Sequence, residues 1–229
     1  MTPYERWRAD ASDLALDAAS LAVYDTETTG LDFYGPGQDR VVALCVLHGT
    51  LADEELAVGF HEFIHPGRPI PEAATRIHGI STEEMDIALE AGVAAPFAER
   101  RERVLKAFEA RIQVAHNLDH DALALRNEFE LPRPTRNWVP RGICTVAVSW
   151  AAWPHLKSHS LAALCDHIGI PLDNAHEAKA DSVACFQVLR AAVADLRKLG
   201  PLETVGDLIT AQEQGAANRR RVRQLEGGH

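Results

Sequence analysis

Leu21-Ala22-Val23-Tyr24-Asp25-Thr26-Glu27-Thr28-Thr29-Gly30 joins an apolar run to two acids and a turn. Residues 21–24 form a short apolar run, which predicts a strand. Two carboxylates and then a glycine follow directly. If the strand continues through the acids, its two-residue period puts Asp25 and Glu27 on one face and Thr26 on the other. Two acids at the carboxyl end of a central strand are costly unless something positive meets them, and a pair of cations meets that need. A solvated strand end feeding a turn is the alternative that spacing leaves open.

Outward from this strand, residues 41–47 (Val-Val-Ala-Leu-Cys-Val-Leu) read as a second buried strand. A third strand or pair of short strands is expected within 51–63, ending at Pro66. Gly35, Pro36 and Gly37 mark a loop in 31–39. Short helices are predicted over 72–78 and 81–90, and a longer one over 97–110 with Phe97, Val104, Leu105 and Phe108 inward. Ile112–Ala115 is a very short strand. Helical patterning returns over 118–130, where Leu118, Ala122, Leu125 and Phe129 share one stripe. It returns again over 143–153, with room for a short strand at its start, over 160–168 and over 178–198. Strands first, then strands alternating with helices, imply a mixed sheet with helices packed on it, an α/β domain. Residues 1–18 read as a modest helix or extended arm outside the core, 19–200 as the domain, and 201–229 as a polar, mobile tail.

Composition narrows the function classes. At 229 residues the chain can bury one good core. No stretch approaches eighteen apolar residues, which argues against a membrane span. Residues 1–7 lack the basic start and apolar core of a signal peptide. Cys45, Cys144, Cys165 and Cys185 stand singly, which gives zinc and redox roles no support and suits buried thiols in a reducing cytoplasm. No G-x-G-x-x-G or Gly-Lys-Ser/Thr follows the first strand, so a nucleotide cofactor or NTPase is set aside. The net charge of -10 argues on its face against a nucleic-acid surface. An enzyme that grips one strand end needs only a local basic rim, however, and acids that hold cations are not negative in the loaded site.

Two more acids head apolar helix faces. Asp121 is followed at i+4 and i+8 by Leu125 and Phe129, so it belongs to the buried stripe. Asp119 fits the ordinary case of an acid at a helix start, favoured by the dipole. Asp181 is followed on its own face by Ala184, Cys185, Val188 and Ala192, and small residues at 178, 180 and 184 allow close approach to the sheet. His176, five residues earlier, can reach the same pocket, although a lone histidine is more often structural or exposed. Four clustered carboxylates would repel and raise one another's pKa values; divalent cations remove that penalty. Carboxylate and water ligands suit magnesium or manganese, and two such ions are standard machinery for in-line phosphoryl displacement.

At this point the residues resemble a known family. Asp25-Thr26-Glu27-Thr28-Thr29-Gly30-Leu31 is similar to the first motif of the DEDDh exonucleases, which include the proofreading epsilon subunit of bacterial replicative polymerases. Ala115-His116-Asn117 with Asp121 resembles the second motif, and His176 with Asp181 the third. Ala74-Thr75-Arg76-Ile77-His78-Gly79-Ile80-Ser81 resembles the segment joining the early strands to the next helix. The similarity covers about residues 19–196. It implies an RNase H-like fold, a mixed five-stranded sheet flanked by helices. It implies two Mg2+ or Mn2+ ions, with Asp25, Glu27 and Asp181 around the first and Asp25 and Asp121 on the side of the second. His176 would be the general base. Thr28, Thr29 and Leu31 would form a shelf under the terminal nucleotide, and His116, Asn117 and His120 would lie on the substrate side. The implied reaction is 3′→5′ hydrolysis releasing 5′-mononucleotides. Departures from the pattern are His120 for a common Phe, Ala43 for a frequent Glu, and Cys144 for a frequent Asp; none removes a ligand or the base.

The expected partner is a nucleic-acid 3′ end. DNA is preferred over RNA because Thr28-Thr29-Gly30-Leu31 looks more like proofreading members than oligoribonuclease-type ones. An RNA-trimming relative and an inactive binding or polymerase-accessory module are the alternatives. Arg133, Arg136, Arg141, His155, Lys157 and His159, interleaved with Trp138, Trp150 and Trp153, are rim candidates, or else simple core and surface residues. Arg219, Arg220, Arg221 and Arg223 in the tail suit phosphates, a polymerase or other protein partner, or plain solvation.

Overall fold

The computed structural model describes residues 1–34, 38–130 and 140–226. Six strands form one sheet: β1 (Leu21–Thr28), β2 (Val41–Gly49), β3 (Ala57–His65), β4 (Ala95–Pro96), β5 (Ile112–Ala115) and β6 (Ile143–Cys144). Their order is β4-β3-β2-β1-β5-β6. The β1–β2 and β2–β3 pairs are antiparallel, and β3–β4, β1–β5 and β5–β6 are parallel. The sheet is therefore mixed, as expected, but it has six strands and not five. The pair at Ala95–Pro96 is too short to show any apolar alternation.

Helices cover both faces. They are α1 (Pro3–Ala11), α2 (Glu72–His78), α3 (Thr82–Glu90), α4 (Phe97–Phe108), α5 (Leu118–Glu128), α6 (Thr145–Ala152), α7 (Leu161–Ile168), α8 (Ala178–Arg197) and α9 (Val205–Glu226). The alternation of β1 sorts the two cores. Leu21 and Val23 join Val148, Leu164, Val188 and Leu189 on the α6–α8 face. Ala22 and Tyr24 join Val104, Leu118 and Leu125 on the α4–α5 face. Within α4, Ala107 is buried and Leu105 is exposed, which corrects the expected inward set.

Both ends of the chain differ from expectation. The segment expected as a polar tail is helix α9 for most of its length. Val205, Leu208, Ile209 and Ala211 are buried in the same core as α8. Gly215 lets α9 cross α6 at contact distance: a Cβ there would lie 1.9 Å from the Ala147 carbonyl oxygen. The apolar signal is confined to the first two turns, and small residues make the rest of the contact, so the composition looks like a tail. The N-terminal segment forms the short helix expected of it, α1, but it is built into the core and not outside it. Ala11 and Leu16 are buried, and the backbone N–H groups of Leu16 and Val205 donate to Glu203 and Leu14.

Among the described residues no helix is long and apolar enough to cross a membrane. Gly35, Pro36, Gly37, Arg133, Arg136 and Trp138 lie outside the described residues, as does the side chain of Arg223.

Candidate active site

The site follows from the register of β1. Asp25 and Glu27 continue the face of Leu21 and Val23, which is covered by α8. There they meet Asp181, in the first turn of that helix. Ligand oxygens of Asp25, Glu27 and Asp181 all lie within 4.8 Å of one another. Small buried residues, Ala178 and Ala184, bracket Asp181 and let α8 sit close to the sheet. Thr26 points to the opposite face, where α5 delivers Asp121. The Asp121 Oδ1 accepts the Thr26 backbone N–H at 3.0 Å and its hydroxyl at 2.8 Å. Asp121 is 2% exposed. It is held beside the three-acid cluster and is not one of its members.

Like charges in a dry place shape the electrostatics. Burial, then Asp121, then Glu27 and Asp181 push the Asp25 carboxyl well above the usual range. Burial, Asp181 and Asp121 push Glu27 up to about 8. Burial pushes Asp121 up to about 7 against the lowering effect of the Thr26 hydrogen bonds. Asp181 is raised mainly by burial. Among the described residues no Lys or Arg pairs with any of the four. Asp181 Oδ2 accepts the His176 backbone N–H at 3.3 Å, while its Oδ1 is buried with no donor. An orphaned carboxylate oxygen facing two more acids fits a hard divalent cation bound by oxygen ligands.

The other expected residues fall in different places. His176 is exposed, with φ 68°, at the entrance to α8. Such a left-handed backbone is uncommon for a residue with a side chain and clusters at functional sites. Leu31 is 80% exposed and free to meet a substrate. Thr28 and Thr29 are buried; their hydroxyls donate to the Gly30 carbonyl and to Asp39, both at 2.7 Å, so they brace the turn. His116 Nδ1 lies 2.9 Å from the Thr145 hydroxyl, and burial pushes its pKa down to about 4. Asn117 is exposed with φ 64°, at the entrance to α5. His120 rests edge-on against the buried Phe33 ring at 4.9 Å, an aromatic packing role.

Of the rim candidates, Arg141, His155 and Lys157 are exposed. Trp153 is not: it is a core residue whose indole N–H donates to Asp195 at 2.8 Å. His159 is also buried, bonded through Nδ1 to Ser149 and stacked on the half-buried Trp150 at 4.0 Å.

Three contributors escaped the sequence reading. Thr26, which alternation only places on the opposite face, positions Asp121. Glu128 is buried and takes both ends of the Arg40 guanidinium (2.8 and 2.7 Å) and the Val41 N–H. Its signal was available, because position 128 lies seven residues after Asp121 on the same helical stripe. His78 lies beside Thr28 and His176; burial chiefly, and His176 as well, lower its pKa.

A central strand carrying two acids, a third acid from the helix on one face and a fourth from the helix on the other define a DEDDh-type nuclease site. The chain belongs to the exonuclease family: the family model described as Exonuclease matches residues 22–189, from β1 into α8. The three motifs, from Asp25 to Asp181, all fall within the matched residues. It is 32% identical over 201 residues, 87% of its length, to a DNA polymerase III subunit epsilon-like protein of Rhodobacter capsulatus. It is 28% identical over 208 residues to a PolC-type DNA polymerase III of Streptococcus pyogenes. The chain spans only 27% and 13% of these relatives' lengths. Among solved structures, E. coli exonuclease I with a dT13 oligonucleotide superimposes with a TM-score of 0.60 at 21% identity, over 79% of this chain and 42% of that one. At that identity the likeness concerns the fold.

Proposed function

We propose that this chain removes nucleotides from the 3′ end of DNA, single-stranded or frayed, and releases 5′-mononucleotides. The observation that carries the reading is the meeting of Asp25, Glu27 and Asp181 within 4.8 Å around an unpaired buried oxygen. Asp121 supplies the second-ion side, which makes the centre a two-cation one. Mg2+ or Mn2+ would be held by Asp25, Glu27, Asp181 and Asp121 and, when bound, would supply Lewis-acid polarisation of the phosphate. His176, exposed at the edge of the cluster, accepts the proton of the attacking water on an unprotonated ring nitrogen. The water oxygen bonds to phosphorus, the bond from phosphorus to the 3′ oxygen breaks, and that oxygen leaves to be protonated by solvent. Leu31 packs against the terminal base or sugar, and His120 acts through Phe33 to shape that shelf.

DNA is preferred to RNA because the curated relatives are named as DNA polymerase III proteins. A polymerase or other protein partner through 201–229 stands on those names alone. Proofreading and repair both fit the site. Four free thiols suit a reducing compartment, and we place the chain in the cytoplasm.

The test is a pair of 5′-labelled oligonucleotides of one sequence, DNA and RNA, with Mg2+ or Mn2+. A ladder shrinking from the 3′ end, faster on DNA, is expected. Faster cutting of RNA would make the chain an exoribonuclease. No cutting of either would leave an inactive binding module.

A further inference from the structure

At the carboxyl ends of β5 and β6 lies a cleft of about 610 Å3. Its floor is the stretch His116–Asn117, one helical turn before Asp121. One wall is the stacked pair Trp150 and His159, with Lys157 on the loop between them. Helix α9 lines it too, through Arg219 and Val222. That volume is within the roughly 300–1,000 Å3 of ordinary ligand sites.

Three features mark it as a built site. First, none of its twelve lining residues is Asp or Glu, in a chain with ten more acids than Lys and Arg. Second, α9 is locked in place. Gly215 meets Ala147, and the Asn218 side-chain amide donates to the Trp150 carbonyl at 3.4 Å. Residues 215, 218, 219 and 222 share one helical face, so the packing that fixes Gly215 also aims Arg219 at the cleft. Third, polar groups are left over. Arg219 forms no ion pair among the described residues; its field reaches His116, His159 and Asp119, and Asp119 does not close onto it. His159 is 8% exposed, and its Nε2 has no hydrogen-bond partner among the described residues.

We propose that this cleft holds the single strand upstream of the scissile phosphate, with Arg219 and Lys157 on its phosphates and Trp150 along its bases. Cations track the backbone and aromatic rings accept any base, which is the chemistry of sequence-tolerant single-strand binding. Arg219 lies beyond residues 22–189, so this contact is an addition to the matched family region. The inference rests on the exonuclease reading for its direction, since the acid cluster defines where the 3′ end sits.

The experiment compares the full chain with Arg219→Gln and Lys157→Gln, each checked for an unchanged melting temperature. Binding of fluorescein-labelled dT10 is read by anisotropy in EDTA across a salt series. Cleavage of dT10 and of the p-nitrophenyl ester of thymidine 5′-phosphate is read with Mg2+. Arg219→Gln should weaken dT10 binding and raise its KM about tenfold, the effect of losing roughly 1.4 kcal/mol. The slope of log affinity against log salt should fall by roughly 0.7, one single-strand phosphate. Hydrolysis of the ester, which has no upstream strand, should stay within twofold. Unchanged dT10 affinity and salt slope in folded Arg219→Gln would overturn the proposal. So would equal losses on dT10 and ester. Arg219-dependent binding by a wild type that cuts neither substrate would instead defeat the exonuclease reading and leave the strand cleft standing.

Discussion

Asp121 Oδ1 accepts both the backbone N–H and the hydroxyl of Thr26, at 3.0 and 2.8 Å. These two hydrogen bonds to one oxygen tie α5 to β1 across the sheet from Asp25 and Glu27. Thr26→Val keeps the shape of the side chain and deletes one donor. It should cost about 1–2 kcal/mol of stability in a denaturant titration, the range for a hydrogen bond to a charged or buried acceptor. It should also lower kcat with Mg2+. An unaltered kcat would mean that the hydroxyl does not position Asp121.

Acid repulsion should appear as a pH dependence of the metal-free protein. Glu27 is pushed up to about 8 by burial, Asp181 and Asp121, from an ordinary 4.5. A carboxyl whose folded pKa is raised binds its proton more tightly when folded. Its contribution to stability is therefore fully present below the ordinary value and is lost as pH rises toward 8. In EDTA, Glu27→Gln should melt at a higher temperature than wild type at pH 8, with the gap closing toward pH 4.5. A gap that widens in acid would contradict the sign.

Divalent cations should reverse that loss. At pH 8, Mg2+ or Mn2+ should raise the melting temperature of wild type, by an amount corresponding to about 2.7 kcal/mol at a hundred times the dissociation constant. Chelation with EDTA should stop strand cleavage. Asp181→Asn removes the charge of the carboxylate that carries the orphaned oxygen, and calorimetric titration should then show weaker uptake. Undiminished uptake would place the cation elsewhere.

His176→Ala should slow turnover by about 10²–10⁴-fold, the usual worth of a positioned general base. The residue is exposed, so the melting temperature should hold. A wild-type kcat in this variant would remove His176 from the reaction.

Gly215→Val tests the closure of α9. Any Cβ at this position meets the Ala147 carbonyl, which is backbone and cannot swing aside. A loss of about 1–3 kcal/mol is expected, typical of overpacking. Full stability would show that α9 can stand off α6 without cost.

Much of this was legible in the order of residues. Alternation through 21–27 put Asp25 and Glu27 on one face. The 3.6-residue stripes placed Asp121 and Asp181 on buried helix faces, as the structure has them. The same periodicity failed where elements were two residues long, as at Ala95–Pro96. It failed again where small residues replace large apolar ones, as at Ala211 and Gly215 in α9. For Trp153 and His159 the sequence leaves rim and core both open, because an aromatic or histidine in a polar loop carries no sign of which way it turns; the structure buries both.

The order of residues carries the backbone periods, and with them which acids face inward and which motif they spell. Only the tertiary structure decided which partners they meet: Asp181 with Asp25 and Glu27, Asp121 with Thr26, and Arg219 with the cleft. The physical reason is that a repeat of two or 3.6 residues reports the face of an element, whereas contact depends on how elements far apart in the chain pack. That packing is set by small residues, at Ala178, Ala184 and Gly215, whose contribution is the space they leave.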